Sequence, residues 1–305
     1  MKRKERIWSM QEKTVWVVGH KNPDTDSICA AIAYAYLKNA TEEGTVFIPK
    51  RAGNINNETR YVLQRFDVKE PEMISYVGAQ IKDIDYRHTD GVSGHYSLKK
   101  AWELMRKLDV VTLPVVDVNK RLEGVIVNGD IAYSYMDILD NRILGQAKTQ
   151  YRNIIETIQG TMVTGNYHAH FTKGKVVVAS GNRETLREEV EDDDLVITGN
   201  IKERQLIAIE QNASCVIVCG KTKVDPEVVE QAKQKECVLI TTNYDSFTTA
   251  RLIHQSMPIR HFMTKENIIT FEPDDYVDDV KETMSKIRHR DFPILDEKRR
   301  IVGMM

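Results

Sequence analysis

Apolar and polar positions alternate in blocks near the start of the chain, and the blocks predict two strands and two helices. The apolar run 15–18 predicts a buried strand. A helix follows it, with Asp26 or Ser27 as the expected N-cap. Residues 45–51 predict a second strand and 59–66 a second helix. This β-α-β-α order is typical of the opening half of a doubly wound parallel sheet.

An internal repeat follows this opening block. Residues 113–117 and 122–127 correspond to residues 292–296 and 301–305. In both copies a proline precedes an aspartate by three residues and a glycine by ten, and an amphipathic helix lies upstream. Each copy therefore predicts a β-α-β-turn-β unit, and the first copy continues into a helix from Asp130.

The block between the copies has a different pattern. Residues 138–157 predict a helical region. Downstream of it, helical patterns alternate with four apolar runs, at 174–179, 194–199, 215–219 and 238–242. Strands that alternate with helices predict a parallel sheet, so this block is a separate α/β domain.

Composition and charge narrow the class of protein. The 305 residues are 41% hydrophobic and 29% charged, which is typical of a globular chain. A net charge of −2 argues against a general nucleic-acid binder, and no apolar run is long enough to span a membrane. The basic stretch 1–6 lacks the apolar region of a secretory signal. None of the four cysteines forms a C-x-x-C pair, so we expect reduced core thiols in a cytoplasmic protein.

The loop after the first strand carries candidate metal ligands. His20, Asp24 and Asp26 have the spacing H-x-x-x-D-x-D. Carboxylate oxygen and imidazole nitrogen suit a pair of divalent ions such as Mn²⁺, with Co²⁺ or Mg²⁺ as alternatives. Such ions hold phosphate oxygens and activate water for attack on phosphorus. The alternative is a polar loop in which the two aspartates only cap the helix. Three ligands cannot saturate two ions, so we expect this chain to bind metal weakly.

Three segments resemble known families. The repeated units resemble two CBS motifs, which pair into a Bateman module. The middle block resembles the DRTGG domain, most clearly at 242–253, and departs from it at the name-giving site, 199–204. The stretch 19–29 (Gly-His-Lys-Asn-Pro-Asp-Thr-Asp-Ser-Ile-Cys) is similar to the first motif of family II inorganic pyrophosphatases of the DHH superfamily. The order of the segments resembles the CBS-domain-containing members of that family.

The resemblance implies an α/β fold with four segments. We expect an incomplete N-terminal part of a DHH catalytic domain at 1–70, a first CBS motif at 71–137, a DRTGG-like domain at 138–250, and a second, truncated CBS motif at 251–305. The family's Asp-His-His motif and second domain have no counterpart in this sequence. The resemblance therefore implies a fragment of a longer enzyme, and we expect the fragment to be inactive alone.

The same resemblance implies an activity. The parent enzyme would hydrolyse pyrophosphate to phosphate with Mn²⁺, with His20 and Asp24 on one ion and Asp26 on the other. AMP, ADP, ATP or a diadenosine polyphosphate would bind the CBS pair as regulators, and CBS modules commonly pair into homodimers. One rival function is a non-catalytic adenine-nucleotide sensor. The other is a DHH phosphoesterase that acts on short oligonucleotides or cyclic dinucleotides.

Matching the CBS pattern residue by residue gives candidate nucleotide-binding positions. Asp130 stands at the ribose position, although Val127 replaces the usual hydroxyl residue nearby. Arg290 and Phe292, just before the proline of the second copy, are placed for phosphate and base. Weaker candidates are Thr112, His261 and Thr264. The alternative is that all of these are ordinary strand-edge residues.

Overall fold

The N-terminal part of the chain forms a small α/β unit. The computed structural model describes residues 13–74, 77–136, 140–221, 223–287 and 291–305. It divides into two compact units, 1–79 and 80–305. The elements of the first unit are β1 (Lys13–Val18), α1 (Thr25–Thr41), β2 (Thr45–Arg51), α2 (Asn57–Arg65) and β3 (Glu72–Met73). The three strands are parallel in the order β1-β2-β3, as the predicted opening of a doubly wound sheet requires.

Two details of this unit differ from the prediction. The N-cap of α1 is Asp24 rather than Asp26 or Ser27, since its carboxylate accepts the Ser27 N–H at 2.9 Å. The strand β1 is confirmed, but its predicted burial is wrong, because Trp16 is 49% exposed and Val18 37%. Exposure alternates along β1, so one face is covered and the other is open within this unit. A parallel strand is buried only when both faces are covered.

The second unit begins with the first CBS half, continues through the α/β block and ends with the second CBS half. The first half comprises β4 (Arg87–His88), β5 (Val92–Ser93), α3 (Leu98–Leu108), β6 (Thr112–Val116), β7 (Leu122–Val127) and α4 (Asn128–Met136). The block comprises α5 (Ile143–Gln146), β8 (Thr149–Gln150), α6 (Tyr151–Thr157), β9 (Thr161–Thr164), β10 (His170–Phe171), β11 (Val176–Val178), α7 (Arg183–Glu189), β12 (Leu195–Thr198), α8 (Lys202–Glu210), β13 (Cys215–Cys219), α9 (Pro226–Gln234), β14 (Val238–Thr242) and α10 (Ser246–Ile253). The second half comprises α11 (Val277–Ser285), β15 (Pro293–Leu295) and β16 (Ile301–Met304).

The two CBS halves exchange their opening segments. The strand β4 of the first half pairs with β16 of the second, and Thr264 of the second half bridges Val125 of β7. A Cβ on Gly124 would lie 2.7 Å from the carbonyl oxygen of Thr264, and one on Gly303 would lie 2.5 Å from the ring of Tyr86. The glycine that recurs in the repeat therefore marks the place where the other half's opening segment crosses the strand.

The inserted block is built on one five-stranded sheet. Its order is β11-β12-β13-β14-β9, with the first four strands parallel and β9 antiparallel. The helices α7, α8 and α9 bury side chains such as Leu186, Ala208 and Val228 on one face. The helices α6 and α10 contribute Ile154 and Ile253 to the other core, which also includes residues of α3. The predicted parallel sheet is confirmed.

The helical region predicted at 138–157 is wrong in its middle. Residues 137–139 lie outside the described residues. The helix α5 ends before Lys148, which has a left-handed φ of 52°, and β8 then pairs with β10 before α6 begins.

All four cysteines are free, and Cys215, Cys219 and Cys237 are buried. Among the described helices none is both long and apolar enough to cross a membrane.

Candidate functional site

A cleft of about 430 Å³ lies between the two CBS halves. Its apolar walls are formed by Val111, Val125, Val127, Ile268, Ile269 and the edge of Phe292. Its polar lining includes Thr112, Asn128, Thr264, Asn267 and Asp291. The cleft is therefore mostly apolar, with a few polar groups that converge on it, as in most small-molecule sites.

Backbone hydrogen bonds fix the segments around the cleft. Val125 and Thr264 exchange two bonds, at 3.0 and 2.9 Å, and so hold the end of β7 against the opening segment of the second half. The Asn128 N–H donates to the Val111 carbonyl at 3.0 Å, which ties the start of α4 to the residue before β6. One side of the cleft is thus fixed by a contact between the halves, and the other by a hydrogen bond within the first half.

Two polar features stand out inside the cleft. The Thr112 hydroxyl donates to the Asp291 carboxylate at 2.7 Å, which leaves other lone pairs of that carboxylate available. The side-chain Oδ1 of Asn128 is buried and has no hydrogen-bond partner among the described residues. A buried acceptor without a partner is costly, so this atom is suited to a donor group on a ligand.

Of the predicted nucleotide-binding residues, three border the cleft. Thr112, Thr264 and Phe292 line it, but the Phe292 ring is only 1% exposed. That ring packs in the core with its centroid 5.4 Å from that of Phe271. Arg290 lies outside the described residues.

The other two predicted residues do not line the cleft. Asp130 stands just beyond the lining segment, and its carboxylate accepts the Val127 N–H at 2.9 Å. Burial raises the pKa of Asp130, and the Val127 hydrogen bond opposes that shift. The His261 ring packs edge-on against Phe262 at 4.9 Å, and burial, with Lys265 nearby, lowers the pKa of His261. Direct nucleotide contacts by Asp130 and His261 stay predictions.

The sequence reasoning missed Asp291 and Asn128. Asp291 stands two residues before the proline of its copy, at the same position as Thr112 in the first copy. The repeat alignment could therefore have found it. Nothing in the sequence marks Asn128, because its side chain becomes an unpaired buried acceptor only when the halves are assembled.

The predicted metal-binding loop of the first unit is partly brought together. His20 Nε2 and Asp24 Oδ1 lie 3.5 Å apart, with both side chains more than half exposed. The Ser27 N–H lowers the pKa of Asp24, with a contribution from His20. A Cβ on Gly19 would collide with the buried Ser27 hydroxyl, which has no hydrogen-bond partner in the described part of the chain, so the loop needs glycine to fold closely against the start of α1.

The loop supplies imidazole and carboxylate ligands for a metal ion, but the described residues do not form a complete metal site. Asp26 is exposed in the first turn of α1. Within the described ranges, no group of three or more His, Cys, Asp or Glu side chains could hold a metal ion. Imidazole and carboxylate fit Mn²⁺ or Co²⁺ chemically, and the paired His20 and Asp24 fit one ion. Metal binding by the three residues stays a prediction.

Comparison with known proteins agrees with this architecture. The family model for the CBS domain matches residues 86–137 and 259–305, and the model for the DRTGG domain matches 153–256. A crystal structure of the CBS and DRTGG domains of the regulatory region of Clostridium perfringens pyrophosphatase, complexed with the activator diadenosine tetraphosphate, superposes with a TM-score of 0.71. The alignment has 36% identity and covers 74% of this chain and 99% of that one.

Two curated relatives extend the match along the chain. A cobalt-dependent inorganic pyrophosphatase of Clostridium perfringens is 40% identical over 289 residues, which is 95% of this chain and 52% of the relative. A probable manganese-dependent inorganic pyrophosphatase of Thermotoga maritima is 31% identical over 291 residues, 95% of this chain and 53% of the relative. The chain thus spans about half the length of these relatives.

The exchanged halves, the cleft between them and the inserted sheet define a CBS pair that carries a DRTGG domain. Identity and coverage then place the chain within one family. It belongs to the CBS- and DRTGG-containing inorganic pyrophosphatases.

Proposed function

We propose that the CBS cleft binds an adenine nucleotide and that this binding regulates hydrolysis of inorganic pyrophosphate by a Mn²⁺- or Co²⁺-dependent enzyme. The observation that carries the proposal is the mostly apolar cleft that holds the Thr112–Asp291 pair and is lined by Asn128, whose buried Oδ1 has no partner among the described residues. The likeness to a regulatory region that binds diadenosine tetraphosphate supports it.

Each part of the nucleotide has a complementary part of the cleft. The apolar walls, with Val111, Val127 and Ile269, accept the two faces of the base. Asn128 Oδ1 accepts a hydrogen bond from the exocyclic amine, and Asp291 accepts one from a ribose hydroxyl. No basic side chain lines the cleft among the described residues, and Arg290, which lies outside them, stays the predicted phosphate-binding residue.

Regulation requires the ligand to distinguish two conformations. A nucleotide shifts activity only when it binds the active and inactive forms with different affinity. The cleft is formed by segments that the two CBS halves exchange, so a change in the angle between the halves would change its width. Whether each nucleotide activates or inhibits then depends on the width that it prefers.

Calorimetry with AMP and IMP tests the role of Asn128. IMP lacks the exocyclic amine, so the wild-type chain is expected to bind AMP more tightly. Asn128→Ala should weaken AMP binding about 3- to 10-fold, the usual value of one neutral hydrogen bond, and should leave IMP binding nearly unchanged. Asn119→Ala, on an exposed hairpin turn, is the matched control. Equal losses for AMP and IMP in Asn128→Ala would contradict the assignment.

We propose that His20, Asp24 and Asp26 contribute ligands to the metal centre. When bound, a metal ion of this class neutralises phosphate charge and lowers the pKa of a water molecule. The Ser27 N–H lowers the pKa of Asp24, and the helix start holds its carboxylate 3.5 Å from His20. The activity belongs to the protein in which the loop is accompanied by its remaining ligands.

Direct metal titration separates this role from helix capping. Asp24→Asn keeps a good N-cap and removes the charge, so α1 should remain folded while Mn²⁺ affinity falls at least about tenfold. Asp67→Asn, at an exposed left-handed position after α2, is the control. Electron paramagnetic resonance of free Mn²⁺ measures both. Unchanged affinity in Asp24→Asn would contradict the proposal.

A second function, a nucleotide sensor without catalysis, is favoured by the incomplete metal group of the described residues. A phosphate-release assay with pyrophosphate and Mn²⁺ or Co²⁺, alongside AMP calorimetry, distinguishes the two. Nucleotide binding without turnover supports the sensor function for the chain as given. Nucleotide-dependent turnover by the full-length protein supports the regulated pyrophosphatase.

We also propose a homodimer formed through the CBS helices. Side chains on α3 and α4 expose large apolar surface, with Trp102 42%, Tyr133 70% and Met136 81% exposed. Light scattering should give twice the chain mass, and Tyr133→Asp should shift the protein toward monomer. A monomeric wild-type protein would contradict the proposal.

A cytoplasmic location stays a prediction, which the four free thiols support.

A further inference from the structure

A second, polar cleft lies in the DRTGG domain, at the carboxyl ends of β13 and β14. It has a volume of about 340 Å³. Its main lining side chains are Gln159, Thr161, Lys221, Lys223, Thr241 and Asn243. Open α/β sheets bind ligands outside the carboxyl ends of their strands, and the helices change faces at β14, with α9 on one side and α10 on the other.

Short hydrogen bonds hold the rim of this cleft in place. The Gly220 N–H donates to the Tyr244 carbonyl at 2.9 Å and so ties the loop after β13 to the loop after β14. Gly220 has a φ of 88°, a left-handed conformation that favours glycine. The buried Thr242 hydroxyl donates to the Ile158 carbonyl at 2.7 Å, which anchors the end of β14. Lys221 directly follows this anchored glycine.

The charged side chains that line the cleft are all positive among the described residues. Lys221 and Lys223 both line it, and no carboxylate does so among the described residues. Neither lysine has an ion-pair partner in the part of the chain that the structure describes. The neighbouring gap between β12 and β13 is different, since Lys202 there pairs with Asp225 at 3.1 Å and Glu227 at 2.6 Å.

The cleft also has unused hydrogen-bond donors and no surface for a base. The carboxamides of Gln159 and Asn243 make no hydrogen bond to any described residue, although both line the cleft. Two ammonium and two amide groups therefore face the same space. No aromatic or aliphatic side chain lines it among the described residues, so a nucleobase would find nothing to stack on. The chemistry fits a small, multiply charged oxyanion.

We propose that this cleft is a binding site for an inorganic phosphate oxyanion, orthophosphate or pyrophosphate. Lys221 and Lys223 bind its oxygens through charge-assisted hydrogen bonds, and Asn243 and Gln159 complete the donor set. The site is separate from the CBS cleft in position and in chemistry. It does not depend on the proposed nucleotide regulation or on metal binding.

The test is a titration of the metal-free chain with sodium orthophosphate and, separately, sodium pyrophosphate, in EDTA and at constant ionic strength. Calorimetry gives the affinity, and amide chemical shifts give the location. Shifts are expected at Gly220, Asn243 and their neighbours. Lys221→Met with Lys223→Met should weaken binding at least about tenfold, because two charge-assisted bonds are lost. Lys173→Met with Lys233→Met removes the same charge from exposed positions of the same domain and should leave binding unchanged.

Each outcome decides the proposal. Tighter binding of pyrophosphate than of orthophosphate would mean that the cleft spans two phosphoryl groups, and the reverse would assign it to one. If both double variants lost the same factor in anion affinity, the binding would be general charge attraction, and the proposed site would be wrong. Absence of binding at millimolar anion, or shifts confined to residues outside this cleft, would overturn it as well. An unchanged melting temperature of Lys221→Met/Lys223→Met without ligand would show that the variant is folded, so that a lower affinity reports the loss of the lysines.

Discussion

The cleft of the CBS pair and the cleft of the DRTGG sheet lie in the same unit and differ in almost every physical property. The first has apolar walls, one carboxylate and an unpaired buried acceptor. The second has two lysines, two carboxamides and three threonines, and no apolar wall among the described residues. The first is assembled from segments that two domain halves exchange, and the second from loops that follow consecutive parallel strands.

The difference indicates how the molecule can separate two kinds of phosphate compound. A nucleotide has a large apolar base, and burial of that base dominates its transfer from water. A bare phosphate has no such surface and depends on charge and hydrogen bonds alone. Under the two proposals, clefts of opposite character in one unit would respond to a nucleotide and to an inorganic phosphate independently.

Gly124→Ala is expected to have the largest effect, because it damages the CBS cleft and leaves the DRTGG cleft intact. The new Cβ would lie 2.7 Å from the Thr264 carbonyl oxygen and 2.9 Å from the Met263 sulfur. The crossing segment must shift, at a cost of about 1–3 kcal/mol in unfolding free energy. We expect AMP binding to be lost and orthophosphate binding to the DRTGG cleft to remain.

The matched control for this variant is Gly199→Ala. A Cβ on Gly199 meets nothing within 4 Å, so the unfolding free energy should change by less than about 0.5 kcal/mol. Urea denaturation and calorimetry measure both variants. If Gly124→Ala bound AMP as the wild type does, the close crossing of the two halves would not define the nucleotide site.

Asp291→Asn removes the negative charge of the CBS cleft and keeps the shape of the side chain. The carboxamide oxygen of the variant would still accept the Thr112 hydroxyl, which lies 2.7 Å from the Asp291 carboxylate in the wild type. Loss of the charged acceptor for a ribose hydroxyl should weaken AMP binding about 3- to 10-fold in calorimetry. Orthophosphate binding should not change. Tighter AMP binding would mean that the phosphates face Asp291, and would overturn the proposed orientation. Glu297→Gln, on an exposed turn, is the control.

The fold was largely predictable because its signals are periodic and local. The recurring spacing of proline, aspartate and glycine located both CBS halves, and Gly124 and Gly303 are glycines because another segment crosses each of them. The alternation of apolar runs with helices predicted the parallel sheet that contains β12 and β13. Burial of β1 was not predictable, since it depends on what covers the Trp16 face.

The lining of the CBS cleft was predictable only in part. Thr112, Thr264 and Phe292 were predicted because they stand near repeated residues; all three border the cleft, and their contact with a nucleotide stays a prediction. Sequence pattern cannot tell that the Phe292 ring turns into the core beside Phe271. Nor can it tell that Asn128 loses its partners, because the packing of two distant segments decides both.

Acidification should lower the unfolding free energy of the unit that contains both clefts, rather than change one cleft alone. His254 follows α10 where the DRTGG domain leads into the second CBS half, and its Nε2 is buried without a partner among the described residues. Burial lowers the pKa of His254, so the unfolded chain binds this proton more readily than the folded chain does. The stabilising contribution is complete above about pH 6.5 and is lost as pH falls from 6.5 toward the folded pKa.

Urea denaturation at pH 7.5 and 5.5 measures this effect. The wild-type protein should be less stable at pH 5.5, and His254→Gln should reduce the difference. His95 and His261, whose pKa values are also lowered by burial, should keep the difference above zero. His168→Gln, in an exposed turn, should leave the difference unchanged. A pH dependence that His254→Gln does not alter would show that the folded chain accommodates the protonated ring.

Asp130→Asn is expected to have the smallest effect and decides between two carboxylates in the CBS pair. The Asp130 carboxylate accepts the Val127 N–H at 2.9 Å, and asparagine can keep that bond. Burial raises the pKa of Asp130, so its charge opposes folding at neutral pH, and the neutral variant should be equally or slightly more stable, by less than about 0.5 kcal/mol. If Asp291 accepts the ribose hydroxyl, AMP affinity should change less than about twofold, because only the support of the 127–129 segment is altered. If instead Asp130→Asn weakens AMP binding as much as Asp291→Asn does, the ribose contacts Asp130, as the sequence predicts, and the nucleotide lies deeper against α4 than the geometry of the cleft implies.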